Sequence, residues 1–231
     1  MTPHSILHDF LHLFFPDCCC VCGNKLNVSE NGICLECLYK LPKTNNFKIP
    51  GNKAEELMAG RFPFQRIASF CVYTKDGILQ KLVHQFKYNN RKEIAIMLGR
   101  LFANDILGSE FISSIDLIVP VPLHPKRLKI RGYNQSELIA RGMSEVTEIS
   151  VSSSNLIRSI YNPTQTKRSR TQRWENVKDI FELRNINEFA NKHVLLVDDV
   201  ITTGSTIEAC SIPILKCNNV KISIATLGEV F

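Results

Sequence analysis

The stretch His193-Val194-Leu195-Leu196-Val197-Asp198-Asp199-Val200-Ile201-Thr202-Thr203-Gly204-Ser205-Thr206 decides the fold. Val194 to Val197 form an unbroken apolar run that ends on two carboxylates. A short turn of Thr and Gly follows, and a helix opens at Ser205 or Thr206. A continuous apolar run of this kind fits a central parallel strand covered on both faces. In open α/β sheets, ligands sit at the carboxyl ends of such strands. Thr202, Thr203, Gly204, Ser205 and Thr206 offer backbone N–H groups, hydroxyls and a helix N-terminus, which together make an anion cradle.

The adjacent carboxylates need a reason of their own. Acceptor-only groups beside a phosphate loop repel the phosphate unless each faces a donor. The 2′- and 3′-hydroxyls of a ribose carrying a 5′-phosphate supply such donors, so Asp198 and Asp199 are the candidate catalytic pair, gripping the sugar. The run resembles the phosphoribosyl-pyrophosphate (PRPP) signature of type I phosphoribosyltransferases. The plain alternative is a strand–turn–helix in which both acids serve as caps.

Working outward, the periodicity predicts strands at 67–73, 117–122, 156–160, 180–183 and 220–227, with helices at 78–86, 92–107, 134–146 and 205–216. Alternating strands and helices predict an α/β fold with a parallel, doubly wound sheet. Pro213 is expected to kink or split the helix after the anion loop. The strand at 117–122 is expected to run into an irregular loop. Residues 43–66 read as polar, and 46–66 are taken as a linker with a short helix near Glu55–Ala59. Residues 67–231 are then the phosphoribosyltransferase-like domain, and 1–45 an amphipathic helix (Ile6–Phe15, ended by Pro16) plus a cysteine module.

Six of nine cysteines fall between Cys18 and Cys37. Cys19-x2-Cys22 and Cys34-x2-Cys37 are two knuckles separated by eleven residues. Four thiolates complete a closed tetrahedral shell, so Cys19, Cys22, Cys34 and Cys37 are the expected ligands of a structural zinc ion. Cys18 or Cys20 fits the first knuckle equally well in register, and a redox CxxC is the competing reading. The 231 residues carry a formal charge of +6, with 44% hydrophobic and 22% charged residues. That composition suits a globular protein and permits a polyanionic partner. No apolar run is long enough to span a membrane. The start lacks a basic n-region and cleavage site, so the expected location is cytoplasmic.

Two segments concentrate positive charge. Lys126-Arg127-Leu128-Lys129-Ile130-Arg131 has four basic residues in six, and Lys167 to Arg173 has four in seven, followed by the only tryptophan, Trp174. Lys87, Arg127 and Arg131 are candidate pyrophosphate contacts, since cations offset the charge that develops on a leaving diphosphate. Lys126, Lys129, Lys167, Arg168, Arg170, Arg173 and Trp174 are candidate contacts to single-stranded DNA, with Tyr133 and Tyr161 as further stacking platforms. Solvated charged faces are the plain alternative for both segments.

The order of motifs resembles the ComF family of competence proteins. The match runs through the CxxC pairs, Thr74-x-Asp76-Gly77, Phe86-Lys87-Tyr88, Val119-Pro120-Val121-Pro122-Leu123 and Arg131-Gly132-Tyr133-Asn134-Gln135. It continues through Thr164-Gln165 and Arg173-x-x-Asn176-Val177 to the Asp-Asp-Val-x-Thr-Thr-Gly-x-Thr loop. The resemblance implies a type I phosphoribosyltransferase-like domain behind a zinc finger, binding PRPP with Mg²⁺. It also implies a role in natural transformation, handling incoming single-stranded DNA beside the uptake machinery at the cytoplasmic side of the inner membrane. Fold alone does not establish turnover. An active transferase acting on a base or amine is the alternative, and a structural adaptor a third.

Overall fold

The computed structural model describes residues 17–158 and 180–230. The expected helix at 6–15 and the segment from Lys167 to Trp174 lie outside them.

Four strands, β1 (Ile67–Val72), β2 (Leu117–Pro120), β5 (His193–Ile201) and β6 (Lys221–Glu229), form one sheet in the order β1-β6-β5-β2. Every pairing in it is parallel, with Leu196 opposite both Val119 and Ile224. Alternation along β5 divides the interior in two. Leu195 and Val197 face a core shared with helices α3 (Ile78–Tyr88), α4 (Lys92–Ile106) and α7 (Gln135–Thr147), while Val194 and Leu196 face the other, with α8 (Ser205–Ile214). Burial on both faces explains the unbroken apolar run.

β5 is longer than its apolar run suggests, because β6 keeps pairing with it past the acids, Asp198 lying opposite Thr226. The expected strands near 156 and 180 do form, as β3 (Leu156–Arg158) and β4 (Phe181–Leu183), but they pair antiparallel with each other outside the main sheet. Each buries one residue, Leu156 and Phe181, against the α8 side. Pro213 does not split α8, since it lies one residue from the end, where only one turn of hydrogen bonding is affected.

The expected loop after β2 is instead helix α6 (Pro125–Arg131), which follows a short α5 (Glu110–Ser113). The His124 side chain accepts from Lys126 N–H, Pro125 takes the first turn, and Gly132 ends the helix at φ +79°. None of its residues is buried, so it lacks the apolar stripe that reveals most helices.

Residues 46–66 bury Asn46, Phe47, Asn52, Ala54, Glu55 and Met58. Helix α2 (Lys53–Met58) is capped by Asn52, and Glu55 accepts from both Ile67 N–H at 3.0 Å and the Arg66 guanidinium at 2.8 Å. The cysteine module, with helix α1 (Leu35–Tyr39), joins the same core as α3 and α4 through Cys19, Ile33 and Leu41.

Helices α4 and α7 cross at two glycines. A methyl group on Gly99 would overlap the backbone of Ile139, and one on Gly142 the carbonyl of Ile96. This crossing sets the height of the α7 N-terminus above the sheet. Overpacking a rigid contact costs about 1–3 kcal/mol, so Gly142→Ala is expected to lower the unfolding free energy by that amount, read as a lower urea midpoint. An unchanged urea midpoint would show that the crossing is slack.

Candidate functional site

The first knuckle is built by Gly23, whose φ of +78° and N–H bond to Cys19 O at 2.9 Å close a tight turn. Glu30 spans the two knuckles, accepting from Asn27 N–H and Leu35 N–H at 2.7 Å each. The thiols of Cys19, Cys22, Cys34 and Cys37 lie within 4.8 Å of one another, and Cys22 Sγ is 3.7 Å from Cys34 Sγ. Thiolates 2.3 Å from a tetrahedral zinc sit about 3.8 Å apart, so the donor set and its spacing fit that ion. The four clustered thiols include Cys19 and not Cys18 or Cys20. Burial pushes the Cys19 thiol up, but backbone N–H groups of Cys22, Cys34 and Val21 outweigh it and bring it down to about 6.

At the carboxyl end of β5, Asp199 continues the residue set that faces α3, and Asp198 the opposite set. Asp198 Oδ1 accepts from Ser136 Oγ at 3.0 Å and from Asp199 N–H at 2.8 Å. Asp199 Oδ2 is buried and stands 2.8 Å from Lys87 Nζ, but off the hydrogen-bonding direction, so it holds an ionic contact and no directed bond. Burial, and then the charge of Asp199, push Asp198 up to about 7. A pair of acids so placed is short of donors, which hydroxyls of a bound sugar supply.

The cradle follows at once. Gly204 adopts φ +73° as the N-cap of α8, and any side chain there would strike Met58 Sδ. The hydroxyls of Thr203 and Ser205 meet at 2.9 Å, and Thr202, Thr203, Ser205 and Thr206 are all exposed around the open helix N-terminus. The Arg61 guanidinium donates to the Thr203 carbonyl at 2.5 Å and pairs with Glu208 at 3.6 Å, setting a cation at the rim.

Lys87, Arg127 and Arg131 converge on a single cavity of about 650 Å³, which Tyr133 also lines. The run Arg131-Gly132-Tyr133-Asn134-Gln135 builds it. Gly132 turns the chain out of α6, the Tyr133 hydroxyl donates to the Phe86 carbonyl, and Asn134 caps α7 while donating to Val121 O at 3.0 Å. Tyr133 is therefore half locked into a core contact, with Lys92 Nζ 4.9 Å from its ring centre, and is no free stacking platform.

Residues 139–229 match the family model of the phosphoribosyl transferase domain. The DNA utilization protein YhgH of Escherichia coli K12 is 32% identical over 207 residues, covering 84% of this chain and 89% of that protein. Competence protein F of Haemophilus influenzae is 30% identical over 212 residues, covering 86% and 90%. The chain belongs to the ComF family of competence proteins. Competence protein ComFC of Bacillus subtilis is a more distant relative, 29% identical over 136 residues, or 59% of this chain and 53% of that one.

In this ComF-family chain, the sequence-predicted Asp198, Asp199 and residues 202–206 share one end of β5, and Lys87 joins them directly. Lys126 and Lys129 are exposed on α6 but do not line the cavity of Arg127 and Arg131. Lys167, Arg168, Arg170, Arg173 and Trp174 lie outside the described residues. Sequence reasoning missed Ser136, Met58 and Arg61. The glycine inside the Thr-rich turn signals that some group approaches closely, but nothing in the sequence says it is Met58.

Two outcomes follow from this geometry. An acid whose folded pKa is raised holds its proton where the unfolded chain has lost it. The contribution of Asp198 to the stability of the ligand-free protein therefore falls as pH rises from about 4 to about 7. Asp198→Asn should flatten that slope and raise the melting temperature at pH 8, measured by calorimetry across pH; an unchanged slope means that Asp198 ionises normally. For the cysteine cluster, elemental analysis should return one zinc per chain. A strong chelator should lower the melting temperature, because metal-binding energy is folding energy here; finding no metal would count against the zinc site.

Proposed function

We propose that the chain holds a 5-phosphoribosyl 1-diphosphate at the β5–α8 loop and handles single-stranded DNA entering the cell in natural transformation. The observation that carries the ligand reading is the donor-poor pair Asp198–Asp199, set between an exposed hydroxyl-rich helix N-terminus and the cavity of Lys87, Arg127 and Arg131. The sugar hydroxyls donate to the two carboxylates. The 5-phosphate takes the N–H groups and hydroxyls of residues 202–206, and the diphosphate faces the three cations. Mg²⁺ supplies charge neutralisation on the diphosphate. It favours a near-octahedral oxygen shell, and two carboxylates supply few of the six ligands, so it arrives with the diphosphate.

The DNA part draws on the names of the relatives, a DNA utilization protein and competence proteins, and on the net charge of +6. Exposed Lys126 and Lys129 fit phosphate contacts. A four-cysteine zinc site suits a reducing compartment, which supports a reading in which the work is done on the cytoplasmic side of the inner membrane; the place beside the uptake machinery draws on the names of the competence relatives. Among the described residues no helix is long and apolar enough to cross a membrane.

An active transferase remains the second reading, favoured by the cations grouped where a leaving diphosphate would sit. It needs no protein nucleophile, only positioning of ribose and stabilisation of the departing charge.

Titration calorimetry with 5-phosphoribosyl 1-diphosphate and Mg²⁺ tests the ligand reading. Binding is expected in the unaltered chain, with a loss of about tenfold or more for Asp199→Asn, since a hydrogen bond to a charged group is worth about 1.5–3 kcal/mol. No heat and no protection from thermal unfolding in the unaltered chain would refute it. Diphosphate release on adding bases or amines separates the transferase from a binding protein.

A further inference from the structure

Helix α3 presents an exposed stripe that the ribose-phosphate site does not use. Lys81, His84 and Tyr88 recur three and four residues apart on its outer face, and all three are exposed. Tyr88 is 70% exposed, and its ring lies 4.8 Å from the His84 ring, tilted by 43°. At one end the Lys81 ammonium donates to Val21 O at 3.2 Å, tying the stripe to the first cysteine knuckle. Near the other end, one residue before the helix stops at Tyr88, Lys87 stands against Asp199.

Two cavities flank this stripe. One, of about 550 Å³, is lined by Cys20, Asp76, Lys81 and His84, and the other is the 650 Å³ cavity of Arg127 and Arg131. They share Lys87 and Tyr88, so they are two halves of one trough that passes over the tyrosine. Ile130, 87% exposed on α6, walls the second half. Asp76 is the one carboxylate on either lining, against Lys81, Lys87, Arg127 and Arg131. Among the described residues, Lys126, Arg127 and Lys129 make no ion pair, so the positive charge of α6 is uncompensated by side chains.

We infer that this trough, from the cysteine module to the cavity of Arg127 and Arg131, is a track for single-stranded nucleic acid in which a base stacks on Tyr88. The inference rests on the nucleic-acid part of the proposed function and gives it a surface. A single strand offers what the trough is shaped to receive: a phosphate charge at every nucleotide for spaced cations, and flat base faces for an exposed aromatic ring. A large tyrosine ring left in water beside an exposed isoleucine has no role in the core, whereas it suits an unpaired base. An acidic peptide would satisfy the cations but leave the ring unused.

The test uses the full-length, zinc-loaded chain and fluorescence anisotropy with two labelled probes of equal length, an oligothymidylate and an abasic phosphodiester strand. Stacking is worth about 1–3 kcal/mol per base. Tyr88→Ala should therefore weaken oligothymidylate binding about fivefold or more, leave the abasic strand unchanged and keep the melting temperature. Tyr88→Phe should restore binding. Lys81→Gln should flatten the log–log salt slope by about 0.7, as one lost phosphate contact on a single strand does. If the unaltered chain binds oligothymidylate and Tyr88→Ala binds it equally well, the trough is overturned and the proposed function stands. Equal loss on the abasic strand overturns the stacking role. If the unaltered chain binds neither probe, the nucleic-acid part of the proposed function falls with the trough.

Discussion

Two carboxylates on consecutive residues at the end of a buried strand repel each other and lack water to screen them. This constraint organises the molecule. Asp199 lies in ionic contact with the Lys87 ammonium, and burial followed by the charge of Asp199 raises the pKa of Asp198, relieved by Ser136 and a backbone N–H. Each partner is positioned by a different helix. Lys87 stands in the last turn of α3, and Ser136 in the first turn of α7. Strand-end chemistry thus depends on how those helices sit on the sheet.

The packing of those helices is correspondingly stiff. The glycine-mediated crossing of α4 and α7 allows a backbone approach that no side chain would permit, and Tyr133 pins the α6–α7 corner to the end of α3. The cysteine module shares the core of α3 and α4, so its four-cysteine cluster packs with the helix that carries Lys87. On the other face, Met58 fills the space beneath Gly204, and Arg61 holds the loop carbonyl of Thr203. A module and a segment that read as peripheral in the sequence thereby support the two sides of one site.

What the sequence made legible were features with a local cause. The buried strand announces itself because burial on both faces demands four apolar residues in a row. The anion loop is equally plain, because a glycine at positive φ and a hydroxyl-rich helix start are needed there. The hidden features depend on contacts distant in the chain. Cys19 wins over its neighbours only because Cys34 and Cys37 come to meet it. Helix α6 buries nothing, so its period carries no apolar signal, although His124, Pro125 and Gly132 mark its ends. Ser136, Met58 and Arg61 carry no motif, since each acts through a neighbour some 60 to 150 residues away in the chain.

Lys87 stands where the two proposed ligands meet. Its ammonium has three donors, none of them directed at Asp199 although the two are in ionic contact, and it lines both halves of the trough. A sugar whose hydroxyls donate to the two acids takes over part of the work that Lys87 does in the ligand-free chain, and so releases the ammonium toward phosphate. A strand that draws Lys87 toward its own phosphate leaves Asp199 without its counter-charge, which raises the gain from a sugar hydroxyl. Both arguments favour joint occupancy, and they are two statements of one coupling free energy, because linkage requires each ligand to change the affinity of the other by the same factor. Two diphosphate-like charges competing for the same ammonium oppose it. Arg127 and Arg131 line the cavity that both ligands claim, so a diphosphate held there adds competition and tips the balance away from joint occupancy.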